Sequence, residues 1–321
     1  MSTPTPFRAV VLAAGEGKRM KSPKPKVLHG ILGEPMLDLV LESLQTAGAS
    51  QSVVVVGHGA AEVRRWLADR VPTAFQDRQL GTGHAARCGL SQLPEGDGYV
   101  VVTCGDVPLV TPASYRALVD ACAASGTAAV ILTFCPDDAA AYGRIVRDAS
   151  GGVARIVEYK DASPDERALR EVNSGIYCFR LGLLRSVIDR LTTNNAQGEY
   201  YLTDTIALLR ADGHRIGAVV APDWRECLGV NSPAELSQAE AVLQQRIFAG
   251  HIANGVRIEN PATVRIGPRV RIGADSLIRL GSVLEGSTAI GDGCVVGPHS
   301  VLVNASLAPG TCLVGGHLTH P

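Results

Sequence analysis

The chain has 321 residues, enough for two domains and a full-sized core, and is 46% hydrophobic but only 4% aromatic, so Val, Leu, Ile and Ala must form most of that core. A net charge of −1 argues against a general nucleic-acid or anionic-membrane surface, while leaving room for a local basic pocket. The eight cysteines contain no C-x-x-C pair, which suggests neither a zinc site nor a disulfide framework and fits reduced thiols in a cytoplasmic protein. No signal peptide precedes the first strand, and no apolar run is long enough to span a bilayer.

The first predicted element is a buried strand, Ala9–Ala14. It runs into Gly15-Glu16-Gly17, followed closely by Lys18, Arg19 and Lys26. Backbone N–H groups in a glycine turn can approach a phosphate closely, and three nearby cations supply the matching charge. A strand, a glycine turn and a basic loop make a triphosphate cradle; the other reading of the same residues is an ordinary strand-to-helix turn with solvated lysines. Two commoner cradles are excluded by spacing: a P-loop needs glycine where Leu12 stands, and a dinucleotide fingerprint needs a small residue where Met20 stands.

Next come a helix over Pro35–Ala47 stopped by Gly48, a strand at Ser52–Val56 and a helix at Ala60–Leu67. The polar loop Gln76-Asp77-Arg78-Gln79-Leu80-Gly81 leads into a helix over Thr82–Leu90, with Thr82 placed as its cap. Gln76 carries both a donor and an acceptor and can read a nucleobase edge, which Gly81 and Thr82 would let approach the backbone. An apolar strand, Tyr99–Thr103, runs into Cys104-Gly105-Asp106. A carboxylate there suits Mg²⁺ beside a triphosphate, although Asp also commonly opens a turn. A helix over Pro112–Ala124 and a strand over Ala128–Phe134 complete an alternation that implies a mostly parallel sheet with helices on both faces. Ligands in such sheets bind beyond the carboxyl ends of the strands, where Gly15 and Asp106 would lie.

The middle of the chain is mixed, with short strands near Arg144–Val146, Val153–Tyr159 and Asn173–Arg180. Polar clusters here include Tyr142-Gly143-Arg144, Glu158-Tyr159-Lys160-Asp161 and Glu171-Val172-Asn173, of which Glu158 and Asn173 have groups suited to sugar hydroxyls. The stretch Asn194–Asp204 opens a helix with unusual polarity. Asn231, after another apolar stretch, can supply a neutral oxygen to the same metal or cap the long helix over Pro233–Phe248. The eight histidines show no metal spacing, and no nucleophilic triad can be argued from their order.

From about Val256 the texture changes. Ile266, Ile272, Ile278, Leu284, Ile290, Val296, Leu302, Ala308 and Val314 recur every six residues. A small side chain follows four residues later in most repeats: Ser276, Ser282, Thr288, Cys294, Ser300, Ser306. This period, with glycine after many of the aliphatic positions, is the signature of a parallel β-helix of about three coils.

Taken together, Leu12-Ala13-Ala14-Gly15 with Arg19 and Lys26, the Gln76 to Ala85 loop, Gly105-Asp106-Val107-Pro108, Tyr142-Gly143-Arg144, Glu158-Tyr159-Lys160-Asp161, Asn173-Ser174-Gly175, Asn195 to Asp204 and Gly229-Val230-Asn231 resemble, in order, the motifs of bacterial N-acetylglucosamine-1-phosphate uridyltransferases. The resemblance covers nearly the whole chain. It implies a Rossmann-like α/β nucleotidyltransferase domain with a mostly parallel sheet, over 1–232, a connecting helix over 233–250 and a short left-handed parallel β-helix over 251–321. It also implies uridylyl transfer from UTP to N-acetylglucosamine 1-phosphate with Mg²⁺, releasing pyrophosphate, in a cytoplasmic homotrimer that makes a cell-wall precursor.

By the same resemblance Leu12, Ala13, Ala14, Gly15, Gln76, Gly81 and Thr82 bind the nucleotide. Arg19 and Lys26 hold the phosphates as the catalytic cations, Asp106 and Asn231 the metal, and Gly143, Glu158 and Asn173 the sugar. Other readings of the same residues are transfer to another hexose 1-phosphate, by uridylyl or thymidylyl transfer, and a hexapeptide-repeat acyltransferase. Two departures stand out. Cys104 occupies a position where the family often has tyrosine. The hexads end after about three coils, too few to complete an acetyl-CoA groove, so acetyl transfer is expected to be absent and His317, in Gly316-His317-Leu318-Thr319, to be a tail residue.

Overall fold

The computed structural model describes residues 5–124, 126–139, 141–149 and 151–320. They form two compact units. The first holds residues up to Leu28 together with Met36–Asn231; the second holds His29–Pro35 and the described residues from Ser232 on.

The first unit is built on a nine-stranded sheet. Its strands are β1 (Phe7–Ala13), β2 (Ala49–Val56), β3 (Thr73–Phe75), β4 (Tyr99–Cys104), β5 (Ala129–Phe134), β6 (Arg144–Arg147), β7 (Val153–Val157), β8 (Val172–Arg180) and β9 (Ile216–Val220). The spatial order is β9-β5-β8-β4-β1-β2-β3, with β6 and β7 as a hairpin joined to the end of β8. β1 runs parallel to β4 on one side and β2 on the other; only β8 runs against its neighbours β4 and β5 in the main order. The sheet is therefore mostly parallel, as expected. The resulting register sets Leu12 opposite both Cys104 and Val55, so the turns after β1, β2 and β4 open at one edge.

Both faces of these strands are covered, which is why they read as unbroken aliphatic runs rather than alternating ones. Val11, Val54 and Val101 face one core, closed by α1 (Met36–Thr46) and, after the two intervening helices, the helix Pro112–Ala124. Val10, Val53, Val55, Val100 and Val102 face the other, beneath Thr82–Leu90, Leu181–Ile188 and Asp204–Ala211. Gly89 allows the close approach of the helix Thr82–Leu90: a Cβ there would stand 2.3 Å from Val10 Cγ1 and 2.9 Å from Val55 Cγ2. The helices Ala60–Leu67, Thr82–Leu90 and Pro112–Ala124 have the expected bounds. β3, β9 and Leu181–Ile188 carry no sequence signal strong enough to have been expected, being short or without a clear period.

In the second unit a 21-residue helix, Pro233–Ala253, extends past the expected end at Phe248. The chain then winds into the left-handed parallel β-helix. Three stacks of short parallel strands form its faces: Ile258, Ile278, Val296 and Leu313 align on one, Ile266, Leu284, Leu302 and Leu318 on the next, and Ile272, Ile290 and Leu307 on the third. Ser276, Ser282, Thr288, Cys294 and Ser300 are buried at the corners.

The last coil departs from the hexad register. Leu307 and Leu313, not Ala308 and Val314, align with Ile290 and Val296, and Val314 is 65% exposed. The cause is a corner one residue shorter. Asn304 turns with φ +52° and Ala305, in place of Ser306, is the buried small residue. The expectation that Ala308, Val314 and Ser306 point inward is therefore corrected. His317 is not in a free tail either: its strand, Gly316–Thr319, pairs with Ser300–Val303.

The small hairpin of Gly30–Ile31 with Glu34–Pro35 belongs to this unit. Glu34 pairs with Arg269, and Glu240 receives Arg265 and the Leu32 N–H.

Candidate functional site

Beyond the carboxyl ends of β1 and β4 lies a cavity of about 240 Å³. Its walls include Leu12, Ala13, Ala14, Gly15, Lys26, Gln76, Gly81, Thr82, Cys104 and Asp106. Every residue expected to bind the nucleotide thus lines one space. The loops are stitched together by main-chain bonds: Gly105 N–H donates to Leu12 O at 2.9 Å, and Gln76 N–H to Val56 O at 2.8 Å. These tie the turn after β4 to the end of β1 and the loop after β3 to the end of β2, and His58 N–H, donating to Ala14 O at 3.1 Å, joins the turns after β1 and β2.

Gln76 is buried. Its Nε2 donates to Gly81 O at 3.1 Å, which leaves Oε1 as the end of the amide without a hydrogen-bond partner among the described residues. Gly81 has φ +108°, and a Cβ there would stand 2.6 Å from Tyr200 O, so glycine is required on both conformational and steric grounds. Thr82 is not the cap of its helix. Gly81 takes that position with no side-chain bond, and Thr82 Oγ1 instead accepts from Leu202 N–H at 3.0 Å. With Gly83 N–H donating to Tyr200 O and Tyr200 N–H to Leu80 O, this holds residues 199–202 along the base loop and brings Glu199 into the wall.

Charge is concentrated at Lys26. Its Nζ is ion-paired with Asp106 and donates to Asn231 Oδ1 at 2.9 Å. Val230 N–H donates to Asp106 O at 2.8 Å, fixing the two loops against each other. Asn231 does not cap the following helix. Ser232 does so, its Oγ accepting from Glu235 N–H, and the Asn231 side chain points to Lys26. Arg19 lies in an adjoining cleft of about 210 Å³, lined by Glu16, Gly17, Lys18, Lys26 and Asn231. Lys26 belongs to both spaces, so the two expected phosphate cations share one continuous surface.

Gly143, Glu158 and Asn173 form a separate cluster. Gly143 O accepts from Asn173 N–H at 2.9 Å, and a Cβ on Gly143 would stand 3.4 Å from Glu158 Oε2. Thr203 Oγ1 donates to Glu158 Oε1 at 3.4 Å, and Asn173 Nδ2 donates to Tyr177 OH at 2.7 Å. Burial holds the Glu158 carboxyl above its ordinary range; the Thr203 hydroxyl opposes this, and the charges of Asp161 and Asp204 add to it. These three residues do not line the cavity around Gln76, but they adjoin it. Gly175 N–H donates to Asn173 Oδ1, and a Cβ on Gly175 would lie 3.8 Å from Cys104 Sγ, on the cavity wall. Burial and the nearby Asp106 push the Cys104 thiol up to about 12, so it is a neutral wall and not a nucleophile.

Sequence reasoning assigned no role to Gln79, Glu199, Val27 or Ala85, all of which line the cavity. Gln79, whose Nε2 donates to Ala14 O at 3.3 Å, sits inside the polar loop already singled out, and Glu199 inside the polar stretch Asn194–Asp204. Their polarity was the available signal; their direction was not.

Residues 9–151 match the model of the MobA-like NTP transferase domain. Over 305 residues the chain is 46% identical to the bifunctional protein GlmU of Geobacillus sp. (strain WCH70), covering 95% of this chain and 66% of that protein. It is 45% identical over 314 residues to the protein of the same name from Thermobifida fusca (strain YX), covering 96% and 65%. It is 42% identical over 305 residues to that of Bacillus velezensis, covering 95% and 67%. The chain belongs to the GlmU family. It spans about two thirds of the length of these curated relatives.

The fold of the family's nucleotidyltransferase unit is shared more widely. A nucleotidyl transferase from Methanothermobacter thermautotroptrophicus aligns with a TM-score of 0.53 at 20% identity, over 76% of this chain and 100% of that one. No helix among the described residues is long and apolar enough to cross a membrane.

Proposed function

We propose that the chain transfers the uridylyl group of UTP to N-acetylglucosamine 1-phosphate, giving UDP-N-acetylglucosamine and pyrophosphate. The observation that carries this reading is the convergence of Lys26, Asp106 and Asn231 at the rim of the cavity that holds Gln76, Gly81 and Thr82. Base, triphosphate and metal would then meet in one space, with the sugar cluster of Gly143, Glu158 and Asn173 beside it.

The donor set fits a small, hard divalent cation. A carboxylate and an amide oxygen already face one cationic atom, the Lys26 ammonium, and Mg²⁺ commonly takes one or two protein oxygens with phosphates and water completing its shell. No group of three or more His, Cys, Asp or Glu side chains among the described residues makes an alternative metal cage. When bound by Asp106 and Asn231, Mg²⁺ would neutralise phosphate charge and polarise the α-phosphorus.

The chain's own residues supply positioning and charge. The sugar phosphate oxygen is already a nucleophile, so no general base is needed. Gln76, Gly81 and Thr82 orient the base, and the Gly15 turn brings backbone N–H groups to the phosphates. Lys26 and Arg19 neutralise the negative charge that builds as pyrophosphate leaves. Glu158 and Asn173 hold the sugar so that its phosphate approaches in line. Lys26 must exchange part of its bonding to Asp106 for the phosphates, and a flexible lysine suits that exchange.

The deciding experiment measures pyrophosphate release from the intact chain with Mg²⁺, N-acetylglucosamine 1-phosphate and, in turn, UTP, CTP, GTP and dTTP. UTP should be strongly preferred. Absence of pyrophosphate release with all four nucleotides, or equal use of GTP, overturns the reading. Glucose 1-phosphate in place of the acetamido sugar tests the acceptor.

A further inference from the structure

His84, on the first turns of the helix Thr82–Leu90, is buried behind Gln76 and does not line the cavity. Its Nδ1 lies 3.1 Å from Gln76 Nε2 and 3.1 Å from Arg78 O. Its Nε2 lies 3.8 Å from Cys88 Sγ, one turn further along the helix. A single ring nitrogen therefore faces a pure donor and a pure acceptor. With a lone pair on Nδ1 it accepts from Gln76 Nε2–H; with a proton there it donates to Arg78 O. The two neighbours cannot both be satisfied at once.

The choice matters because Gln76 is an amide whose two ends are chemically opposite. When Nε2 donates both to Gly81 O and to His84 Nδ1, Oε1 is the end left for the base. An outward oxygen accepts from the N3–H of uracil and meets a lone pair on N3 of cytosine. If Nδ1 carried the proton, two N–H groups would face each other, and turning the amide would bring Oε1 to the ring proton in exchange for the bond to Gly81 O. The outward group would then be an NH₂, which suits cytosine.

We propose that His84 is a specificity-determining positioning residue: it acts through Gln76, with its proton on Nε2 and its Nδ1 lone pair holding the amide so that the pocket presents an acceptor to uracil. Nε2–H then points to the Cys88 sulfur, a weak acceptor, which burial keeps as a neutral thiol. The inference rests on the uridylyl reading above.

The test compares the intact wild-type chain with His84→Leu and His84→Asn. UTP and CTP are each assayed for kcat/KM and, separately, for binding by calorimetry, and each variant's thermal midpoint is recorded. The Leu variant should lose about 10-fold of the UTP-over-CTP ratio, the value of one hydrogen bond that differs between the two bases. The Asn variant, whose Oδ1 can stand near the position of Nδ1, should restore most of it. A Leu variant that folds and keeps the wild-type ratio, even with lower activity on both nucleotides, overturns the inference. ¹⁵N NMR of histidine-labelled wild type gives an answer that needs no variant. The neutral ring should carry its proton on Nε2, and a proton on Nδ1 overturns the proposal. A wild-type chain with no preference for UTP would instead be a failure of the uridylyl reading, and the NMR result would still decide the orientation of Gln76.

Discussion

Lys26 and Asp106 are 80 residues apart in sequence and form an ion pair whose two side chains are only 14% and 19% exposed. The pair stands where the cradle after β1 meets the turn after β4. The Lys26 ammonium, which also donates to Asn231, neutralises the carboxylate; turned to phosphates, it would leave the carboxylate free to take a metal. Asp106→Ala should remove this choice and lower kcat by about 10²-fold or more, because the charge on the triphosphate is then left uncompensated. Pyrophosphate release over a Mg²⁺ titration is the measurement. Near-normal activity at ordinary Mg²⁺ would remove Asp106 from the metal site.

Lys26→Ala and Arg19→Ala should each lower kcat by roughly 10²–10³-fold, the usual effect of losing one donor to developing negative charge. The two should differ in stability. Lys26 is half-buried and its loss strands Asp106, so that variant's thermal midpoint should fall, whereas Arg19 is exposed and its loss should leave the midpoint unchanged. A raised KM for UTP with unchanged kcat would show instead that the cations bind ground state and transition state equally.

Glu158 sets a pH dependence. Its folded-state carboxyl titrates above the ordinary range, first because it is buried and further because Asp161 and Asp204 repel its charge. Ionised, it would accept from sugar hydroxyls with both oxygens; protonated, it would keep only its carbonyl oxygen as a strong acceptor. The KM for sugar phosphate should therefore rise as pH falls through the raised value, at a higher pH than the one at which an ordinary carboxylate takes up its proton. The sign for stability is opposite: ionising Glu158 costs the folded state more than the unfolded one, so this group's penalty is relieved as pH falls. Glu158→Gln should flatten the KM profile and raise the thermal midpoint near neutral pH. An unchanged acid limb in that variant would assign it to another group.

Gly81→Ala combines a disfavoured φ with a Cβ 2.6 Å from Tyr200 O. The chain must move the 199–202 strap or unwind the start of its helix, at about 1–3 kcal/mol. UTP affinity and thermal midpoint should fall together, measured by calorimetry and thermal unfolding. Full affinity would mean that the loop tolerates the shift and does not need its close contact with the strap.

The family resemblance leads us to expect a homotrimer assembled through the three flat faces of the β-helix, from about Val256 on. Light scattering of the intact chain gives its mass directly. A clean monomer would show that these coils do not assemble, and each active site, drawn from residues before that boundary, should then work unchanged.

How much of this was legible beforehand depended on how local each pattern is. The strand Ala9–Ala14, the glycine turn and the hexads from Ile266 to Leu302 are repeats or runs within a few residues, and a backbone that buries both faces of a strand or one face of a coil writes such patterns directly into sequence. The shorter corner at Asn304 and Ala305 broke the reading because Ala308 and Val314 kept an apolar residue at the old spacing while the backbone had already lost one position. The motifs named Asp106 and Asn231 as metal oxygens, but only the sheet order, which places β4 beside β1 and brings the segment after β9 back to them, puts both on the Lys26 ammonium across separations of 80 and 205 residues. The directions of Gln79, Glu199 and His84 were likewise undecided until the helix Thr82–Leu90 and the 199–202 strap were in place. Local physics fixes which elements form and which side chains are apolar. Whether a polar side chain meets a ligand, a backbone carbonyl or another side chain is settled by distant parts of the chain, through packing that sequence spacing does not encode.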